Sequence, residues 1–435
     1  MRKAIHFGVA WLAAIAATPL CAENPQLQLS AEETAIARAA EANAEDAIGF
    51  LETTVNINSG TMNHKGVRAV GDVYGAAFKE LGFEIAWIDQ AGVNRGGHLV
   101  ARRKGASKNL LLIGHLDTVF PVDSPVQTFK RDGDTITGPG VNDMKGGNAV
   151  VVYALKALDE AGALDGKSIT VFFTGDEEKT GKPISVSRKY LIDEAKKADI
   201  ALNFEGGRKG LAVTSRRGAS GWRLTTTGRR RHSSGIFRED VGAGAVFEAS
   251  RILAAFYDEL SGEEYLTFNP GVIVGGTDVN YDPEANDGAA FGKTNVVAQK
   301  VVVDGGLRFI SEEQKEEART RMRAIVDRNL PHTDAEITFT DAYPAMSPTA
   351  ENAALLSVYS SVSEDLGFGP VEANDPARRG AADISFAAPH TPQSMDGLGV
   401  TGEGAHTPEE SMDAASLKDA TLRTAILIHR LLEVD

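Results

Sequence analysis

At 435 residues the chain is too long for one simple core, and 42% hydrophobic with 24% charged residues is the make-up of a globular protein, which excludes a fibrous or low-complexity one. Its formal charge of −15 argues against nucleic acid and anionic membrane surfaces as partners, while leaving room for a local basic pocket that takes a small substrate. The sole cysteine, Cys21, falls within the first 22 residues, so the rest of the chain must rely on its core or on metal, not on disulfides.

Arg2 and Lys3 precede an apolar stretch from Phe7 to Ala17 and then small residues, the pattern of a secretory signal peptide with cleavage expected after Ala22. A periplasmic or secreted protein is therefore expected. The stretch is too short to span a bilayer and no later apolar run approaches that length, so no membrane insertion is expected.

Residues 23–45 lead into a first helix. A helix is then predicted over 66–81, strands over 83–88, 97–103 and 109–114, a helix over 145–161, and strands over 168–174 and 198–204. Strands alternating with helices predict an α/β fold, a mostly parallel sheet with helices on both faces. From 216 the rhythm changes to a strand at Gly218–Thr227, a helix over 241–260, strands over 271–277 and 295–309, a helix over 311–329 and a strand over 335–340. This βαββαβ order is ferredoxin-like and marks an inserted α+β unit. The chain then returns to a helix over 352–366 and a last helix over 414–433. The expected division is a signal peptide at 1–22, a first α/β part over 23–215, the inserted unit over 216–340 and a second α/β part over 341–435.

Three apolar runs end on titratable groups: LLLIG on His115 and Asp117, VFFTGD on Glu177 and Glu178, and ALNF on Glu205. In an open α/β sheet the carboxyl ends of the strands form the ligand crevice, so the three endings are expected to converge. GPGVNDMKGG places Asp143 just before a helix, where an Asp serves as a metal ligand or as a helix cap. GEGAHTPEES carries His406 in a Gly-rich loop. Two His with Asp and several Glu make the mixed nitrogen and oxygen set that a zinc enzyme uses. His64, His98, His332, His390 and His429 lie outside such motifs and are read as structural, and Arg229 to Arg231 as an exposed basic turn.

In this order GHLDTV, GPGVNDMKGG, TGDEE, NFEGG and GAHTPEE resemble the dinuclear zinc amidohydrolase family of glutamate carboxypeptidase, aminoacylase and succinyl-diaminopimelate desuccinylase, over about residues 45–433. The resemblance implies two Zn2+ per subunit, with Co2+ or Mn2+ as acceptable substitutes. It puts His115 and Glu205 on one ion, Glu178 and His406 on the other, and Asp143 between them, followed by a cis peptide to Met144. Asp117 would orient His115 by accepting its second ring N–H. Glu177 would be the general base, taking a proton from the attacking water and handing it to the leaving nitrogen.

The same resemblance makes His232, in GRRRHSSG, the histidine that reaches the active site of the partner in a dimer built through the inserted unit. Ser233 and Ser234 stand there where Ala-Gly is usual. Asn295 and Arg308 resemble substrate-facing positions of the inserted unit, although Arg308 is equally compatible with a strand-edge surface residue. Gly380 resembles the glycine of the loop that receives a substrate carboxylate, for which an arginine fork is also suited. The implied reaction is release of a C-terminal amino acid, glutamate foremost, from a small peptide. The alternatives are an N-acyl-amino-acid hydrolase or dipeptidase with the same chemistry, or a non-catalytic metal- or solute-binding protein.

Overall fold

The computed structural model describes residues 29–433; the expected signal peptide lies outside them. Six strands form the central sheet in the order Glu84–Ile88, His98–Arg103, Ser168–Thr174, Asn109–His115, Ile200–Asn203, Gln393–Met395. The pairings from Ser168–Thr174 to Gln393–Met395 are parallel, and the two at the other edge are antiparallel. The connection between Ile88 and His98 is too short for a crossover, which forces the first two strands into antiparallel pairing.

Both faces of the sheet are covered, and the 110–113 run shows how. Leu110 and Leu112 join one core cluster while Leu111 and Ile113 join another, as the two-residue period of a strand requires. On the first face pack helices Ala31–Ala42, Ala44–Val55, Lys145–Glu160 and Ala414–Leu431. The second holds the short helices Lys189–Ala195 and Ile384–Ala387. Where one helix was expected after the leader there are two, parted at Asn43.

The two glycines of MKGG set how closely helix Lys145–Glu160 approaches the sheet. A Cβ on Gly147 would stand 1.9 Å from the Phe204 carbonyl oxygen, and one on Gly146 would stand 2.4 Å from that of Val141. The first turn of the helix thus presses on the backbone that leads into Glu205. Gly147→Ala is expected to cost about 1–3 kcal/mol by overpacking, read as a lower Tm in calorimetry. An unchanged Tm would contradict the close approach.

The inserted unit is a four-stranded antiparallel sheet in the order Thr267–Gly276, Lys300–Phe309, Gly218–Gly228, Thr333–Tyr343. Helices Ala245–Leu260 and Glu312–Val326 share a separate core with it, built on Trp222, Leu224, Ile252, Phe256, Val303 and Met322. The ferredoxin-like order is therefore present, with two differences. The third strand begins only at Lys300, and a hairpin, Asp278–Asp282 with Asp287–Phe291, precedes it. Of its strands, DVNYD alternates but over only five residues, and DGAAF, exposed throughout, has no alternation to signal a strand. Arg216 and Met346 exchange backbone hydrogen bonds of 2.9 and 3.0 Å where the chain enters and leaves the unit. Among the described residues no helix is long and apolar enough to cross a membrane.

Candidate metal centre and active site

Strands Ser168–Thr174, Asn109–His115 and Ile200–Asn203 are neighbours and parallel, so their carboxyl ends lie side by side. Those ends deliver Glu177 and Glu178, His115, and Glu205 to one place, as the sequence pattern predicts. Asp143 enters from the loop before helix Lys145–Glu160, and His406, at φ 66°, from the Gly404–Glu410 loop. The peptide from Asp143 to Met144 is cis.

Asp143 is the hub. Its Oδ1 lies 3.1 Å from His115 Nε2 and its Oδ2 lies 3.0 Å from His406 Nε2. On the far sides, Glu205 Oε1 is 3.7 Å from His115 Nε2 and Glu178 Oε2 is 3.1 Å from His406 Nε2. Ligand atoms of His115, Asp143 and Glu178 all fall within 4.8 Å of one another, and so do those of His115, Glu177 and Glu205. Asp143 does not cap the helix that follows: Met144 holds the cap position and no side chain bonds there.

The electrostatics show a surplus of negative charge. Burial, reinforced by the Glu205 carboxylate, pushes Glu177 well above the ordinary carboxylate range. Burial and then the charge of Asp143 raise Glu205 to about 8. Glu178 is raised by burial too, against the hydrogen bond from His406. Hydrogen bonds to Asp143 and Glu178 raise His406 to about 11. For His115 burial opposes protonation but is outweighed by Asp117 and Asp143, and its pKa stands well above the ordinary value. Glu178 Oε1 is buried with no hydrogen-bond partner among the described residues. Four carboxylates around two imidazoles, with an orphan acceptor, fit divalent cations that take nitrogen and oxygen ligands, zinc among them.

Asp117 has a wider role than expected. The nearer acceptor for His115 Nδ1 is the Asp117 carbonyl oxygen at 2.9 Å, with the carboxylate at 3.5 Å. The fully buried carboxylate instead accepts the backbone N–H groups of Glu177 at 3.0 Å and Glu178 at 3.2 Å, and the Thr61 hydroxyl at 2.6 Å. One residue therefore orients both the histidine and the glutamate loop.

Glu410 carries no signal in the sequence that sets it apart from its neighbour Glu409. Here its carboxylate is buried and accepts three backbone N–H groups, from Gly140, Asn142 and Asp143, each at 2.9 Å. It shapes the loop that presents Asp143, and burial raises it to about 7 even so. His98, read as structural, is also buried: its Nδ1 accepts the Gly175 N–H at 3.1 Å, which leaves Nε2–H to donate to Ser187 O at 3.0 Å. The bond from Gly175 holds the start of the Glu177 loop.

The remaining expected positions lie outside this cluster. His232 is exposed and its Nδ1 is paired with Ser234 Oγ at 2.8 Å. The Ser233 N–H donates to the Asn295 carbonyl at 2.9 Å, so those two candidates share one loop pair. Arg308 is exposed on the inserted sheet and has no ion pair among the described residues. The Gly380 carbonyl accepts from buried Arg216 at 2.6 Å, and Arg216 is itself paired with Asp396 at 2.6 Å. Beside Glu205 and His406 opens a cavity of about 1070 Å³, lined by Asn142, Arg208, Lys209 and Arg379 among others.

A parallel sheet whose strand ends gather carboxylates and imidazoles around a bridging aspartate, with a glutamate alongside, is the site of a metallohydrolase that cleaves amide bonds. Comparison with known proteins makes this specific. The chain belongs to peptidase family M20/M25/M40, whose model matches residues 111–430. It is 29% identical to carboxypeptidase G2 of Pseudomonas sp. over 98% of both chains. It is 25% identical to succinyl-diaminopimelate desuccinylase of Magnetococcus marinus, over 81% of this chain and 90% of that one. The structure of aminopeptidase PepT from Bacillus cereus superposes with a TM-score of 0.71 at 21% identity, over 89% of this chain and 98% of that one, which shows the shared fold.

Proposed function

We propose that the protein is a zinc-dependent exopeptidase that hydrolyses the amide bond to a C-terminal amino acid, glutamate foremost. The observation that carries this reading is Asp143 reaching His115 on one side and His406 on the other, with Glu177 alongside. In it His115 and Glu205 would hold one Zn2+, Glu178 and His406 the other, and Asp143 would serve both, with Co2+ or Mn2+ as substitutes. Bound ions would polarise the scissile carbonyl and lower the pKa of the attacking water. Glu177 would take the proton from the attacking water and return it to the leaving nitrogen, a transfer that burial assists by raising its affinity for a proton.

Full-length similarity to carboxypeptidase G2 supports the carboxypeptidase assignment. The cavity beside the centre is lined by Asp134, Glu403 and Asp413 as well as by Arg208, Lys209 and Arg379; these three cations have no ion pair among the described residues and are the groups suited to a substrate carboxylate. Gly380, Arg308 and Asn295 complete the proposed substrate contacts, and His232 reaches the centre of a partner subunit. Exposed Val246, Phe247, Tyr257 and Ile273 on the inserted unit support a homodimer formed through it. The division into 23–215, 216–340 and 341–435 belongs to the same proposal, except that the last inserted strand runs on to Tyr343, past the expected end at 340. So does export to the periplasm or beyond after removal of residues 1–22, which rests on the sequence pattern alone.

Similarity to the desuccinylase favours a second reading, an N-acyl-amino-acid hydrolase or dipeptidase with the same centre. The test is to chelate the purified protein, reload it with zinc, and offer N-benzoyl-L-glutamate, N-acetyl amino acids and dipeptides, reading products by mass spectrometry. Zinc-restored release of glutamate ahead of the other products is expected. Faster turnover of the acetylated compounds or dipeptides would transfer the assignment to the second reading. No turnover with metal bound would favour a binding protein.

A further inference from the structure

Among the described residues, the hydrogen bonds that join the loop carrying Glu177 and Glu178 to the inserted unit are made by Tyr343. Tyr343 ends the last inserted strand, Thr333–Tyr343, and its hydroxyl lies 2.6 Å from Thr180 Oγ1 and 3.5 Å from the Glu177 carbonyl oxygen. Thr180 in turn is 3.4 Å from Arg188 Nη2. Arg188 is fully buried between Asp176, at 2.5 Å, and Asp383, at 2.7 Å.

The arginine fixes one end of this chain. A guanidinium only donates, so Thr180 Oγ1 accepts from Arg188; between Thr180 and Tyr343 either hydroxyl can donate, and both lie 3.5 Å from the Glu177 carbonyl oxygen, which accepts. Hydrogen bonds in series polarise one another, most of all when a buried cation starts the series. Asp117 holds the N–H groups of Glu177 and Glu178, and His98 holds that of Gly175. On the carbonyl side of Glu177 stand the Thr180 and Tyr343 hydroxyls, and of these Tyr343 is the one brought from outside the loop. Its ring is set independently, 4.9 Å from that of Phe386.

We propose that Tyr343 is a positioning residue for Glu177: through its hydroxyl the last strand of the inserted unit seats the loop that bears the general base. The inference rests on the reading of Glu177 as base. The strand that brings Tyr343 is the one by which the inserted unit returns to the central sheet, so a shift of that unit is passed to the loop that bears the base.

The test uses Tyr343→Phe, which keeps the ring and removes only the hydroxyl, in the zinc-loaded full chain with N-benzoyl-L-glutamate as probe. Its kcat is expected to fall about three- to tenfold, the effect of one neutral hydrogen bond, with KM and metal content unchanged. Thr180→Val should do the same, and the double variant should be no slower than either single one, since all three break the same series. Wild-type kcat in Tyr343→Phe, independent effects in the double variant, or loss of metal would each overturn the proposal. Glu177→Gln, run alongside, separates the two ideas. If it stays active, the reading of the base fails; if it is inactive while Tyr343→Phe is fully active, only the positioning role fails. Should the loaded protein leave the probe intact, deuterium uptake by peptides spanning 175–181 decides alone: faster exchange in Tyr343→Phe supports the proposal and equal exchange overturns it.

Discussion

Glu177→Gln is expected to retain its metal and lose about 10²–10⁴-fold in kcat, the range for removal of a general acid–base group. The amide has the shape of the carboxyl but cannot take a proton. The backbone of the loop is held by Asp117 and His98, contacts that do not depend on the Glu177 side chain. Metal analysis together with initial rates checks this, and hydrolysis at the wild-type rate would remove Glu177 from the mechanism.

Asp143→Ala should be still more damaging, because both imidazoles lose their shared carboxylate at once. Loss of a residue that merely supports a ligand weakens metal affinity about 10–100-fold, and loss of the bridge should exceed that. The variant should bind fewer than two ions per chain and hydrolyse at background. Glu410 grips the backbone N–H of residue 143, not its side chain, so the loop and the circular-dichroism spectrum should survive. Two tightly held ions in this variant would overturn the bridging role.

Much of the centre is legible in the chain because it is written locally. LLLI, VFF and ALNF declare buried strands, and the residues after each must emerge at the same edge once the strands pair in parallel. The choice between ligand and helix cap at Asp143 was not legible, since both use an Asp in that place; the backbone decides it by putting Met144 at the cap. Contacts that join distant segments left no mark either. Glu410 reaches back to Gly140, Asn142 and Asp143, and Asp383 reaches Arg188, across separations that no period or motif spans. The Asp117 carboxylate shows the same limit. Its nearness to His115 in sequence suggested one partner, while three of its hydrogen bonds go to Thr61, Glu177 and Glu178.

The paired backbone bonds between Arg216 and Met346 make the inserted unit a cassette. Its two ends lie as close as facing residues of a hairpin, about 5.5 Å between Cα atoms, so a tight turn could bridge the gap left by excising it. Three of the strand endings that build the centre precede the insertion, and the His406 loop follows it. Evolution can therefore exchange or resize the unit, and with it the contacts it offers to substrate, without moving the strands that define the chemistry.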